Sequence, residues 1–447
     1  MFTAPDRLDL LTDLIAKARR AGADAADAVW VEGVSLSFSR RLGKQERLER
    51  SESADLGLRV LIGRRQAMVS SSDTGAEALD ELVARGVAMA RAVPEDPWCG
   101  LALPEQLAAQ VPDLDAFDPV EPTPEVLEDR AARAEDAALA VPGVTNSEGA
   151  SAGWGRSTFA IAASNGFARV HSGSRHSVSV SVLAGEGTAM QTDYDYTSVV
   201  HGADLRNPED IGRAAGEKAV RRLHPRKAES ARLPVVFDPR VARSLLGHLA
   251  GAANGASVAR GTSFLKDRMG QRIFREGVTV IDDPHRRRGL ASRPFDGEGI
   301  ATRRRAVVED GVLSTWFLDL ATARQLGLET TGHAGRGTSS PPSPSPSNLY
   351  LEPGSLSPAE LMADIDAGLY VTDMMGFGIN FVTGDYSRGA TGFWIEKGKL
   401  AYPVSEVTVA GNLIDMFARL TPAGDLEFRY GTDSPTVRVD GMTLAGR

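Results

Sequence analysis

Hydrophobic positions along the chain change period several times, and each change marks an element. Residues 6–21 place Leu8, Leu11, Ile15 and Ala18 on one stripe ahead of Gly22, which predicts an amphipathic opening helix. The runs DAVWVEG and VSLSFSR then alternate in the strand manner, and LGLRVLIGRRQAMVS reads as two strands joined at Gly63-Arg64-Arg65. Thr74 and Glu77 form a capping-box pattern before a helix whose Leu79, Leu82, Val83 and Val87 share a face. Between about 94 and 124 prolines recur too often for regular structure, so this stretch is expected to be a surface connector. Helix over 125–141 is followed by alternating runs that predict a β-meander, then by a helix at 207–222 and the short strand LPVVFD. Asp238-Pro239 opens a further helix, RVARSLLGHLAGAANG. Beyond it the chain is glycine-rich with short strands, Asp310-Gly311 reading as a hairpin turn. SSPPSPSPSN at 339–348 is expected to run extended on a surface, and Ser357, Pro358 and Glu360 to open a helix over 358–367. The pattern predicts an α+β protein with an N-terminal helix-and-sheet domain (1–229) and a C-terminal β-rich domain (230–447).

Composition narrows the class. Across 447 residues, 42% hydrophobic and 24% charged content are those of a soluble globular protein. A net charge of -9 disfavours stable nucleic-acid binding, and Arg286–Arg288 and Arg303–Arg305 read as solvated faces or contacts for an acidic partner. The first residues lack the regions of a signal peptide, no stretch is long and apolar enough to span a membrane, and the single cysteine, Cys99, fits a reducing compartment; cytoplasm is the expected location.

Several blocks carry a family resemblance: RSESADLGLRVLIGRRQAMVSSSD and AMARAVPEDPWCGLA early; DDPHRRRGLASRPFDGEGIATRRRAVVEDGVLSTWFLDLATARQLGLETTG centrally; PSNLYLEPG, MMGFGINFVTGDYSRGATGFWIEKGKLAYPVSEVTVAGNLIDMF and PTVRVDGMTLAG late. Together they resemble the TldD/PmbA family, once named modulators of DNA gyrase, in the version of its TldE (PmbA) branch. The resemblance implies a barrel-like C-terminal domain and peptidase components. In the TldD branch it implies an HExxxH zinc motif and a late cysteine ligand, two imidazoles and a thiolate leaving one position for an activated water. Aligned on Gly251, this chain has Gly247, His248 and Ala252 where His, Glu and His are needed, and its last stretch has no cysteine. No catalytic residue and no metal are therefore expected in this chain. The resemblance implies a TldD-type zinc subunit as partner, in a heterodimer or larger assembly, with zinc in that partner and a peptide as substrate; self-association as a homodimeric peptide-binding or regulatory protein is the alternative.

Other patterns are weaker. Gly149-Ala150-Ser151-Ala152-Gly153 matches a nucleophile elbow, but strand-like residues follow it where a helix is required. Asp282, Asp283 and His285 read as a turn before Pro284 rather than a metal cluster, and His171, His176, His201, His224 and His333 receive no role. Gly384-Asp385-Tyr386-Ser387-Arg388-Gly389-Ala390-Thr391-Gly392 reads as a glycine-dense link. With Asn348 and Tyr350, its Gly384, Asp385, Arg388 and Gly392 are candidates for lining a peptide groove or partner contact at a subunit junction; a tight loop inside the β domain is the alternative.

Overall fold

A computed structural model describes residues 4–446. Helix α1 (Ala4–Arg20) leads into three strands, β1 (Ala25–Arg41), β2 (Lys44–Ile62) and β3 (Arg65–Ser71), and then α2 (Ala76–Ala92). Gly75 rather than Thr74 is the N-cap of α2, its N–H bonded to the Asp73 carboxylate at 2.8 Å, so the anticipated capping box does not form. After a connector come α3 (Pro124–Leu139), β4 (Val144–Ala163), β5 (Ala168–Ala184), β6 (Gln191–Val199) and α4 (Pro208–Arg221). The six strands form one sheet in the order β3-β2-β1-β4-β5-β6.

Strand parity explains how this sheet is covered. Even-numbered residues of β1 face the helices: Ala26, Ala28 and Trp30 pack under α1 and α2, while Val34, Leu36 and Phe38 pack under α3 and α4. Glu32 lies on the same face between the two clusters and is held by Arg7 of α1 at 2.8 Å. Odd-numbered residues face the other way, where Val29 joins Ile161 and Phe167 against Phe295 of the C-terminal half. Asp27 on that face is 2% exposed; it pairs with Arg59 of β2 at 2.5 Å and with Arg336 from the far end of the chain.

The C-terminal half opens with β7 (Ala231–Phe237), α5 (Pro239–Ala252) and α6 (Gly255–Ala259). Next come β8 (Val280–Asp282), the hairpin β9 (Arg305–Glu309) and β10 (Val312–Leu313), and α7 (Leu320–Leu326). Asp310 and Gly311, at φ 47° and 81°, make the expected hairpin turn. The paired segments β11 (Ala334–Gly335) and β12 (Ser343–Pro344) precede β13 (Leu349–Leu351) and α8 (Pro358–Met362); α8 has the predicted Ser357–Glu360 capping box but stops five residues short of 367. Then follow β14 (Ala367–Met375), β15 (Asp385–Glu396), β16 (Lys399–Asn412), α9 (Leu413–Ala418), β17 (Leu420–Pro422), β18 (Thr432–Asp433) and β19 (Val437–Ala445).

Strands β16-β15-β14-β7-β19 are hydrogen-bonded in that order, and pairing of Thr408–Ala410 on β16 with Thr443–Ala445 on β19 closes them into a five-stranded barrel, with β17 outside it on β19. The barrel-like domain expected from the sequence is thus present. A second sheet, β10-β9-β8-β13-β18, lies beside it. Helix α5 lies over this core, burying Val241, Ala242, Leu245, Leu246 and Leu249 with Phe237, Phe317 and Tyr386 in one continuous cluster. Among the described residues, no helix is long and apolar enough to cross a membrane.

Candidate functional site

Helix α5 starts where local chemistry requires. Asp238 is the N-cap, its carboxylate accepting the Arg240 N–H at 3.1 Å, and Pro239 occupies the first turn, where a missing N–H costs nothing. The apolar stripe faces the core, so Arg243, Gly247, His248 and Gly251 fall toward the rim. A side chain at Gly247 would meet no atom within 4 Å, whereas one at Gly251 would strike the Phe381 ring at 2.8 Å. His248 is half-buried, edge-on to Tyr386 (5.9 Å between centroids) and Phe381 (6.4 Å), and its Nε2 has no hydrogen-bond partner. Burial, reinforced by the charge of Arg388, lowers its pKa to about 4, so the ring is neutral at pH 7. Ala252 is fully buried.

The C-terminal stretch packs against the same helix through β18. Arg243 lies over the Tyr430 ring at 4.1 Å and Arg286 over Phe428 at 4.2 Å. Asp433 accepts the N–H groups of Arg429 (2.9 Å) and Tyr430 (2.8 Å), and burial raises its carboxyl pKa. Guanidinium–aromatic stacks therefore occupy the region beside α5. Among the described residues no three His, Cys, Asp or Glu side chains converge as metal ligands, and zinc does not fit this donor set.

The groove candidates fall on two different sheets. Asn348 is 1% exposed and its amide is fully used, donating to Asp283 O (2.7 Å) and Ser292 Oγ (2.8 Å) and accepting Ala291 N–H (3.0 Å). Tyr350 in β13 stands edge-on to Phe428 and accepts from Arg304 at 3.3 Å. Gly384, at φ 83°, turns the chain into β15, where Asp385 bonds Thr383 Oγ1 (2.6 Å) and Asn412 Nδ2 (3.2 Å) and Arg388 donates to Gly376 O (3.0 Å). The run 384–392 is thus mostly strand, not a link. Gly392 sits at a β-bulge where an added Cβ would lie 1.8 Å from Tyr370 O, so its glycine serves strand contact. What the structure does bring together is the β15 end of this run, the loop carrying Phe381, and His248.

Ser151 lies within β4 and bonds Ser179 Oγ at 2.8 Å, with no elbow. Asp283 caps a turn by accepting His285 N–H at 2.9 Å, as read from the sequence, while Asp282 points into the core to His333 (3.1 Å) and Ser347 (2.6 Å).

Sequence reasoning missed the seam between β6, α4 and the barrel. A cavity of about 380 Å³ opens there, walled by Tyr194, Tyr196, Arg221, Tyr370, Phe393 and Tyr430. At its floor Asp193 is held by Arg240 (2.6 Å) and Arg222 (3.2 Å). Burial works to raise the Asp193 carboxyl, but these guanidiniums outweigh it and hold its pKa below the usual range. The available signal was the alternation Asp193-Tyr194-Asp195-Tyr196, which sets two acids on one strand face and two aromatics on the other.

Known proteins share this architecture. Family models described as the PmbA/TldA metallopeptidase domain 1, central domain and C-terminal domain match residues 26–90, 117–223 and 230–446. The chain is 39% identical over 426 residues to the Escherichia coli O157:H7 metalloprotease PmbA, covering 95% of this chain and 93% of that one. It is 36% identical over 434 residues to the Haemophilus influenzae metalloprotease PmbA homolog, covering 96% and 94%. A crystal structure from Bacteroides thetaiotaomicron described as a putative modulator of DNA gyrase superposes at TM-score 0.91 with 29% identity over 100% of both chains. TldE from Thermococcus kodakarensis, at TM-score 0.86, 19% identity and 98% and 100% coverage, shares the fold.

Proposed function

The chain belongs to the PmbA/TldD metallopeptidase family, and from that premise we propose that it is the non-catalytic subunit of a two-component peptidase, pairing with a TldD-type zinc subunit that cleaves unfolded or extended peptides. The carrying observation is the donor set of α5: Gly247 offers no ligand, Ala252 offers none, and His248 is a lone imidazole edged by two aromatic rings. A catalytic zinc site takes three protein ligands, and a single imidazole does not hold the ion. Cleavage then belongs to the partner, where the zinc resides, and this chain contributes wall. The β15 end with Arg388, next to the Phe381 loop, is the part of the predicted groove that borders α5; Asn348, buried beside the other sheet, braces the segment carrying Asp283, Ala291 and Ser292 instead. The assembly works in the cytoplasm, in keeping with the lone Cys99.

The test is co-expression with a TldD-type subunit, followed by size-exclusion mass, zinc count and peptide cleavage. The expected result is a hetero-oligomer with one zinc per subunit pair and cleavage absent from the isolated chain. Stoichiometric zinc and hydrolysis in a pure sample of this chain overturn the proposal, and a homodimer with no affinity for the zinc subunit favours a peptide-holding protein instead.

A further inference from the structure

The seam cavity is chemically uneven once its ions are paired off. Each carboxylate of the lining has a partner: Asp193 has Arg240 and Arg222, Asp195 has Arg206 (3.0 Å) and Lys218 (3.2 Å), and Glu427 has Arg429. Asp238 caps α5 and accepts the Tyr370 hydroxyl at 3.0 Å, Asp425 is bonded by Thr436, and Asp433 by Arg286 and two backbone N–H groups. Of the cations, Lys218, Arg222, Arg240 and Arg429 are taken up in these pairs. Arg221 alone has no carboxylate partner among the described residues, and its guanidinium rests on the Phe393 ring, 5.0 Å from the centroid. That stacking reaches from α4 across the seam to the barrel. In the same lining Tyr194 and Tyr196 stack at 6.1 Å, and Tyr196 meets Tyr430 at 5.4 Å, with Arg240 over the Tyr194 ring at 5.2 Å and Arg243 over the Tyr430 ring at 4.1 Å. The volume falls in the range of small-ligand sites, of order 300–1,000 Å³.

One unneutralised guanidinium in a lining that also carries a row of aromatic rings suits an anion attached to an apolar or aromatic body. We infer that this cavity binds the carboxylate terminus of a peptide, with Arg221 taking the carboxylate and the tyrosine row taking the last side chain. The ligand class rests on the peptide reading above, while the site can be measured on this chain alone.

The experiment is calorimetric titration of the full chain with a short peptide ending in phenylalanine, as free acid and as C-terminal amide, with inorganic phosphate as competitor. The free acid is expected to bind about tenfold tighter than the amide, the scale of one charge-assisted contact. Arg221→Gln should bring the acid down to the level of the amide, Arg221→Lys should keep part of the preference, and both should melt with the parent because the side chain is exposed. Equal affinity of acid and amide, unchanged affinity in Arg221→Gln, displacement by equimolar phosphate, or no binding would each refute the inference. A complex that cleaves peptides while acid and amide bind alike refutes this site and leaves the subunit role standing; acid preference without any complex does the reverse.

Discussion

Two arginine clusters built on a buried aspartate, Asp27 and Asp193, link the halves of this molecule, and they do different things with the same chemistry. Asp27 sits between Arg59 and Arg336, with side-chain exposures of 2%, 3% and 0%, where the outer face of the N-terminal sheet meets the C-terminal half. Asp193 sits between Arg240 and Arg222, whose side chains are 15% and 13% exposed, at the floor of the seam cavity. The first trio is closed on all sides, and Thr338, two residues beyond Arg336, adds a hydrogen bond to Asp55. The second has further neutral partners, Arg240 donating to Thr372 O (2.9 Å) and Arg222 to Thr391 Oγ1 (3.0 Å), and borders open volume. A sealed ion cluster can only hold two layers together, whereas one beside a cavity also shapes what enters it. Seclusion, more than pairing, separates the two roles.

The sharpest way to break this contrast is to remove each central carboxylate. Asp27→Ala strands two guanidiniums in a dry interface and should cost about 3–5 kcal/mol in a denaturant melt. The pH dependence carries the same signature. Burial works to raise the Asp27 carboxyl, but Arg336 and Arg59 override it and hold it at about 2, below its ordinary 3.8. A depressed carboxyl stabilises the fold above its unfolded pKa, and that share is lost as pH falls from about 4 to 2. Asp27→Asn should flatten this acid limb; an unaltered limb in the variant would show that the cluster does not bind the layers.

Asp193→Ala should cost less, about 1–3 kcal/mol, because Thr372, Thr391 and solvent in the cavity remain for the freed guanidiniums. A loss equal to that of Asp27→Ala would mean the seam is as sealed as the interface, and the distinction drawn from exposure would fail.

The comparison also marks what the sequence could and could not say. Much of the local structure was legible, including the parity of β1, the Asp310-Gly311 turn, the cap of α5 and the empty Gly247 and Ala252 positions, but not the N-cap of α2, where Asp73 takes the Gly75 N–H. Glycines between 384 and 392 misled because a glycine that admits a neighbouring strand, as Gly392 admits Tyr370 O, looks in sequence like one that makes a turn. The Pro/Ser run was taken as a surface strip, yet its end is buried: Ser347 supplies both N–H and hydroxyl to Asp282, which prolines alone could not do. Neither ion cluster was visible, since Asp27 and Arg336 lie 309 residues apart and Asp193 and Arg240 lie 47 apart, with no periodicity linking them.

The smallest expected effect falls at His248, which belongs to neither cluster and lies where a catalytic residue would be placed by alignment. Its imidazole is neutral at pH 7 and, among the described residues, joins no group of three metal-ligating side chains, so His248→Ala should leave peptide cleavage by the proposed complex with a zinc subunit within about twofold, against the 10²–10⁴-fold loss typical of removing a general base. Stability at neutral pH should move by no more than about 1 kcal/mol. Acid should reveal the residue instead. With a folded pKa of about 4 against an ordinary 6.5, the unfolded chain takes up a proton that the folded one refuses, so the ring weakens the fold as pH falls through that window. His248→Ala should therefore lose less stability than the parent between pH 6.5 and 4. A hundredfold fall in cleavage with the melt unchanged would place chemistry on this chain and reverse the assignment of labour between the subunits.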